Sequence, residues 1–303
     1  MKMQDKVLRD IMRKNLINKG DTVVAAVSGG PDSVCLLHGL YQLSSILEIK
    51  LHAIHINHML RGEESQQDEL YVRQFCKKLQ IPLQVNSIDI AALAEETGMS
   101  VEEAGREARY SEFEAYASRI GAQKIAVAHN RNDQAETVLM HIIRGSGLAG
   151  LVGMEYIRGK IIRPLLDTDR SEIEQYCRDY GLNPRTDSSN LKCDYARNKV
   201  RLNILPLINS SFGSDITGSL CRLSSLAAKD SSFLEACAMK AYQDCLLDNA
   251  VQNSVTLDAA KLAGLHPALT GRVIRKALSR IKGDLKGIES LHIEAAEALA
   301  ANG

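Results

Sequence analysis

The chain has 303 residues, of which 45% are hydrophobic and 24% charged, with 37 basic and 37 acidic side chains that sum to zero. This length suffices for one large or two ordinary globular domains of normal soluble composition. The balance excludes nucleic-acid binding through bulk charge, so any basic surface must be local; no run approaches the roughly 18 apolar residues of a membrane span, and the polar opening Met1-Lys-Met-Gln-Asp-Lys does not read as a signal peptide.

In chain order, residues 2–18 read as an amphipathic helix stopped by Gly20. Asp21-Thr-Val-Val-Ala-Ala-Val27 is then a buried strand, because six of its seven residues are apolar or β-branched. It breaks into Ser28-Gly29-Gly30-Pro31, a tight loop. Asp32 and Ser33 follow, and Val34 to Leu47 is a helix. A strand, a glycine loop and a helix start form an anion site, since loop amides and the helix dipole converge on one place. The loop is not a Walker A sequence, because no lysine lies between Lys19 and Lys50. The structural alternative is an ordinary strand-to-helix turn with a Pro at its start.

Residues 51–56 form a second strand ending in the polar loop Asn57 to Ser65, and 66–79 a helix. Residues 83–88 are a third strand. Val101 to Ile120 is a longer helix with Glu103, Arg106, Arg109 and Tyr110 on one side. Residues 124–128 form a fourth strand and Ala135 to Arg144 a fourth helix. Strands alternating with helices imply a parallel sheet, so residues 20–145 read as a doubly wound, Rossmann-like α/β domain. Residues 161–166 are expected as an edge strand weakened by Pro164. From Tyr195 onward the pattern is all helical. The expected organisation is a nucleotide-binding catalytic domain over 1–210 and a smaller all-helical domain over 211–303.

Four further stretches carry chemistry. His129-Asn-Arg-Asn-Asp133-Gln-Ala-Glu136 follows the fourth strand, with Asp133 and Glu136 on one face of a first helical turn. Capping by Asn132 or Asp133 explains part of it. Its position at a strand's C-terminal end, like that of the Ser28–Ser33 loop, points both into one crevice. The two carboxylates would hold Mg²⁺ or grip the ammonium of an amine substrate. His129 ends a strand at that crevice and is a site candidate, whereas His52 reads as a core or edge histidine. The small-residue run Gly145 to Gly150 after Arg144 is only partly explained by a glycine cap. Residues 183–203 carry five basic side chains against two acidic ones, with Arg197 and Arg201 at i, i+4 spacing suited to phosphate. A second basic run, from Arg272 to Lys286, reads as a solvated face or an RNA contact.

The seven cysteines are odd in number and include no Cys-x-x-Cys pair, so a reduced cytoplasm without zinc or an iron–sulfur cluster is expected. With no Trp and 4% aromatics, no stacking platform for single strands is evident.

Ser28–Ser33 is similar to the PP-loop of ATP pyrophosphatases, which bind the pyrophosphate of ATP and transfer AMP. With it, His58-Met-Leu-Arg61-Gly, Glu103 to Tyr110, Ala128 to Thr137, Arg144-Gly-Ser-Gly-Leu, Arg163-Pro-Leu-Leu, Asp187-Ser-Ser-Asn190 and Arg197-Asn-x-x-Arg201 run in the order of the tRNA(Ile)-lysidine synthetase family, which the chain resembles over residues 21–206. The resemblance implies ATP-dependent adenylation of the wobble cytidine of an isoleucine tRNA with a CAU anticodon, followed by attack of free L-lysine. It implies ATP contacts from Ser28, Gly29, Gly30, Asp32, Ser33, Arg61 and His129, and catalytic roles for Asp32, Arg109, Asp133 and Glu136. Asp133 and Glu136 would hold Mg²⁺ or lysine, and Arg144, Arg197 and Arg201 the tRNA or lysine. The implied protein is cytoplasmic, makes no membrane contact and is compatible with a homodimer. Two departures stand out: Asn132 occupies the first of a usual aspartate pair, and the family's further C-terminal domain is not expected within these residues. The rivals are a PP-loop tRNA thiolase, disfavoured by the missing Cys-x-x-Cys, and a non-catalytic ATP- and tRNA-binding protein.

Overall fold

The computed structural model describes residues 2–60, 62–185, 196–247, 254–285 and 287–302. The chain divides into two compact units, Met1–Gly145 with Gly153–Arg222, and Ser146–Val152 with Leu223–Gly303.

The first unit opens with α1 (Met3–Arg13), β1 (Thr22–Ala26), α2 (Pro31–Leu47), β2 (Lys50–Asn57), α3 (Glu63–Lys78) and β3 (Leu83–Ser87). It continues with α4 (Ile90–Thr97), α5 (Val101–Arg119), β4 (Lys124–Ala126) and α6 (Arg131–Ile143). The short α7 (Leu148–Leu151) belongs to the second unit. The first unit then resumes with β5 (Ile157–Arg158), β6 (Ile161–Ile162), α8 (Arg170–Asp179), α9 (Ala196–Lys199), a π-helical turn at Val200–Ile204, and α10 (Leu205–Phe212). The 30-residue helix α11 (Ile216–Cys245) runs from one unit into the next.

Six strands form one sheet in the order β3-β2-β1-β4-β6-β5, parallel except for the β5–β6 pair. Alternate residues of a strand point to opposite faces. Val23, Ala25 and Val27 therefore pack with Ile11, Leu36, Leu40 and Ile173 on one face. Val24, with Ile54, Ile56, Ile125 and Val127, packs against Phe113, Tyr116 and Ala117 of α5 on the other. With helices on both faces, β1 has no polar side, which is why it reads as a continuous apolar run. The expected doubly wound α/β domain is the observed one.

Several local expectations are corrected. Residues 161–166 do not form an edge strand: β6 stops at Ile162 and lies between β4 and β5, and Pro164 falls after its end. The edge is β5, too short to show a period. Helix α4 was not expected; Asp89 caps it by accepting from Ala92 N at 3.0 Å. Helix α2 begins at Pro31 rather than Val34, and α6 at Arg131 rather than Ala135.

The second unit contains most of α11, a ladder of β7 (Leu246–Leu247) with β8 (Thr256–Leu257), and helices α12 (Ala259–Ala263), α13 (Pro267–Lys282) and α14 (Ser290–Asn302). Among the described residues beyond Tyr195 the elements are helices and this ladder of two residues per strand. In the basic run of α13, Arg272 and Lys276 both pair with Glu235, the latter at 2.7 Å, so two of its cations are already neutralised. Lys286 lies outside the described residues. Among the described residues no helix is long and apolar enough to cross a membrane.

Candidate active site

The site is built at the C-terminal ends of β1, β2 and β4. Val27 still bonds the sheet through its N–H to Ile54 O at 2.8 Å, and the chain then turns. Gly29 takes φ +100°, a backbone conformation that a Cβ strains. Gly30 is the N-cap of α2 and Pro31 its first residue, where a missing N–H costs nothing. Ser33 Oγ ties the loop together: it accepts from the N–H groups of Ser28 at 3.1 Å and Gly29 at 3.2 Å and donates to Gly30 O at 3.0 Å. The first amides of α2 have no intrahelical partner and face the crevice with the positive end of the helix dipole.

Helix α6 begins beside this loop. Its N-cap is Asn130, not Asn132 or Asp133. Asn130 Oδ1 accepts from Asp133 N at 3.1 Å, and Asp133 Oδ2 accepts from Asn130 N at 2.9 Å, a reciprocal capping box. The same Asn130, 2% exposed, donates through Nδ2 to Asp32 Oδ1 at 3.0 Å, which links the two helix starts. Burial, with the nearby Asp133 charge, pushes the Asp32 carboxyl up to about 6. Asn132 turns the other way: its Oδ1 accepts from the backbone N–H of Arg170 at 3.1 Å, at the start of α8. It serves a helix end and is not among the residues lining the crevice.

Asp133 and Glu136 do share one face, and Arg197 spans both. Its Nε donates to Glu136 Oε2 at 2.7 Å and its terminal nitrogen to Asp133 Oδ1 at 3.0 Å. Arg201 Nε stands 3.7 Å from Glu136 Oε1. Glu136 is 1% exposed. Burial raises its pKa against the opposing pull of Arg197. Burial works against the charge of Arg197, but Asp133 and Glu136 outweigh it and hold the guanidinium above its ordinary value.

His129 is half-buried, and desolvation pushes its imidazole down to about 4, so it is neutral at neutral pH. Its Nδ1 accepts from Arg163 Nε at 3.2 Å. Arg109, on α5, donates from Nε to Gly105 O at 3.2 Å and is otherwise exposed. Arg185 clamps the glycine loop: its N–H donates to Gly29 O at 2.9 Å while its side chain reaches Asp68 at 3.3 Å.

These groups enclose one cavity of about 830 Å³, lined by Ser28, Asp32, His129, Asp133, Glu136 and Arg197 among others. That volume suits a nucleotide-sized ligand. Gly30, Ser33, Arg109 and Arg201 also face it. Gly29 is buried behind the loop, against Val72 and Asp68. Arg144 is exposed at the end of α6 and does not line the cavity. Arg61, and the stretch from Asp187 to Tyr195, lie outside the described residues. Sequence reasoning gave no site role to Asn130, Arg163 or Arg170. An Asn followed three residues later by Asp was the available signal for Asn130; Arg163 stood in the quoted Arg163-Pro-Leu-Leu motif without a role, and nothing local marked Arg170.

Among the described residues no group of three or more His, Cys, Asp or Glu side chains is arranged to hold a metal ion. Asp133 and Glu136 are already engaged by a cation, Arg197. Asp32 presents a carboxylate to the cavity with one oxygen bonded to Asn130. Mg²⁺ commonly takes one or two carboxylates and completes its shell with phosphate oxygens and water, so Asp32 fits such an ion.

Residues 2–208 match the PP-loop domain family. The chain is 44% identical over 292 residues to the tRNA(Ile)-lysidine synthase of Clostridioides difficile (strain 630), covering 96% of this chain and 63% of that protein. It is 41% identical over 292 residues to the protein of the same name from Caldanaerobacter subterraneus subsp. tengcongensis, covering 96% and 62%. The chain thus spans just under two thirds of the length of these curated relatives. Among solved structures, the U34-tRNA thiolase NcsA from Methanococcus maripaludis with its [4Fe-4S] cluster aligns with a TM-score of 0.59 at 19% identity, over 73% of this chain and 78% of that one. At that identity the likeness concerns the fold.

Proposed function

From the premise that this chain belongs to the PP-loop domain family, we propose that it is a tRNA(Ile)-lysidine synthase. In a first step the C2 oxygen of the wobble cytidine attacks the α-phosphorus of ATP, and pyrophosphate leaves. In a second, the amine of free L-lysine attacks C2 and expels AMP while giving up its proton. The observation that carries this reading is the convergence of a phosphate loop, a carboxylate pair and a basic pair on one cavity. Such a site catalyses chiefly by positioning and by preorganised charge, because the substrate amine is itself the nucleophile.

The Ser28–Ser33 loop and the start of α2 hold the pyrophosphate. Asp32 is the residue that would hold Mg²⁺, which would neutralise charge on the phosphates. Asp133 and Glu136 bind an ammonium group of lysine, a reading favoured over metal because Arg197, also a nitrogen cation, already sits there. Arg197 and Arg201 then turn to phosphate. Arg109, exposed at the cavity and forming no ion pair among the described residues, meets the tRNA backbone. Residues 1–210 act as the catalytic domain and 211–303 as the helical tRNA-binding domain of a cytoplasmic enzyme. No cysteine is among the described residues lining the cavity, which favours an amine over a sulfur nucleophile.

The test is incubation of the protein with ATP, Mg²⁺, labelled lysine and isoleucine tRNA bearing a CAU anticodon. Label should enter the tRNA with release of AMP. A chain that binds both ATP and this tRNA yet transfers no label would sink the proposal.

A further inference from the structure

Arg163 is a buried cation that forms no ion pair among the described residues. It is 4% exposed and directly follows β6, one strand away from β4. Its terminal nitrogen donates to Glu155 O at 2.6 Å, and the Tyr110 hydroxyl lies beside its guanidinium. No described carboxylate forms an ion pair with it. A charge held this way is expensive unless it serves something. Its remaining contact is from Nε to His129 Nδ1, at 3.2 Å.

That contact dictates the state of the imidazole. A guanidinium Nε carries a hydrogen and no acceptor lone pair. His129 Nδ1 must therefore be the acceptor, and in the neutral ring the single proton sits on Nε2. The opposite tautomer would set two N–H groups head to head. His129 lines the cavity. Its place there follows from the sheet: β1 and β4 are parallel neighbours, and His129 and Ser28 follow their C-terminal ends. Both residues line the same cavity, so the imidazole and the first residue of the phosphate loop face one bound ligand.

We propose that Arg163 is a positioning residue that acts through His129, locking it as the Nε2–H tautomer so that it donates a hydrogen bond to a phosphoryl oxygen of bound nucleotide. The inference rests on the nucleotide reading of the cavity but not on the identity of the second substrate. Arg163 also contributes an uncompensated positive charge behind the histidine, which strengthens Nε2–H as a donor to an anion. His129 in this role gives a hydrogen bond and does not carry a proton between substrates.

The test is two-bond ¹⁵N–¹H correlation NMR of the full chain labelled at histidine, with and without ATP. In the wild type His129 should show protonation at Nε2, and saturating ATP should shift that signal. Protonation at Nδ1, an even mixture of tautomers, or no response to ATP would each overturn the proposal, and none of these outcomes needs a variant. Arg163→Met should mix the tautomers and weaken ATP binding by at least about twofold, because an even mixture halves the competent population, and further through loss of the charge behind the histidine. Arg163→Lys, which keeps an N–H donor, should retain both the tautomer and most of the affinity. A folded Arg163→Met with an unchanged tautomer would refute the link. If the Nε2 proton responds to ATP but no lysine enters tRNA, the reaction assignment fails and the role of Arg163 stands.

Discussion

Arg197 Nε stands 2.7 Å from Glu136 Oε2, so a residue of the basic segment beyond Asn190 neutralises a carboxylate that is 1% exposed. Removing one partner of such a pair leaves the other charge buried and uncompensated, at a cost of about 3–5 kcal/mol. Arg197→Met should therefore lower the unfolding free energy by about 3 kcal/mol, the low end because Arg201 remains 3.7 Å from Glu136. The double variant Arg197→Met with Glu136→Gln should recover part of the loss. Urea unfolding of the four proteins in a double-mutant cycle measures the coupling, and additive losses would mean that the pair does not interact.

Asp32 is a half-buried carboxylate, and among the described residues no cation is bonded to it. Its pKa rises from 3.8 to about 6 on folding, through burial first and the Asp133 charge second. The folded state then binds a proton that the unfolded state has lost, so this group makes stability fall as pH rises from 3.8 to about 6. Above that window the ionised Asp32 costs the ligand-free protein about 2–3 kcal/mol. Asp32→Asn should raise the melting temperature at neutral pH, flatten the pH dependence between 4 and 6, and reduce turnover by at least about 100-fold. Equal stability of the two proteins at neutral pH would contradict this.

Asn132 bonds the start of α8 at 3.1 Å and is absent from the cavity lining. Asn132→Asp keeps an acceptor at a helix N-terminus, where a negative charge is tolerated. It should change activity by less than about twofold, because it touches no substrate. Asn132→Ala should cost about 1 kcal/mol as a lost capping acceptor. Parallel thermal melts and lysine-transfer rates check both; a large gain in rate with Asp would return this residue to the metal site.

At Gly29 a new Cβ would meet Val72 Cγ2 at 3.6 Å and Asp68 O at 3.7 Å, ordinary contact distances. The objection to a side chain is its φ of +100°. Gly29→Ala should destabilise by about 1–2 kcal/mol through backbone strain. It should weaken ATP binding more than the melting temperature suggests, because relief of the strain turns the loop amides. Calorimetric ATP titration beside thermal unfolding separates the two effects.

The sequence by itself determined the local parts of this protein. The apolar run at 22–27, the break at Ser28–Gly30 and the alternation of strand and helix are written in neighbouring residues, and a parallel sheet with its crevice at the strand ends follows from them. Asp133 and Glu136 fell on one face because helical spacing alone decides that. The tertiary structure decided which residue partners which. Arg197 reaches Glu136 across 61 positions, Arg163 reaches His129 across 34, and Asn130 reaches Asp32 across 98. It also moved the cap of α6 from Asn132 or Asp133 to Asn130, since where a helix begins depends on what receives its first amides. Periodicity reports the environment of a residue but not the identity of its neighbour. Ion pairs and hydrogen bonds depend on where the chain returns, and only the packed sheet sets that.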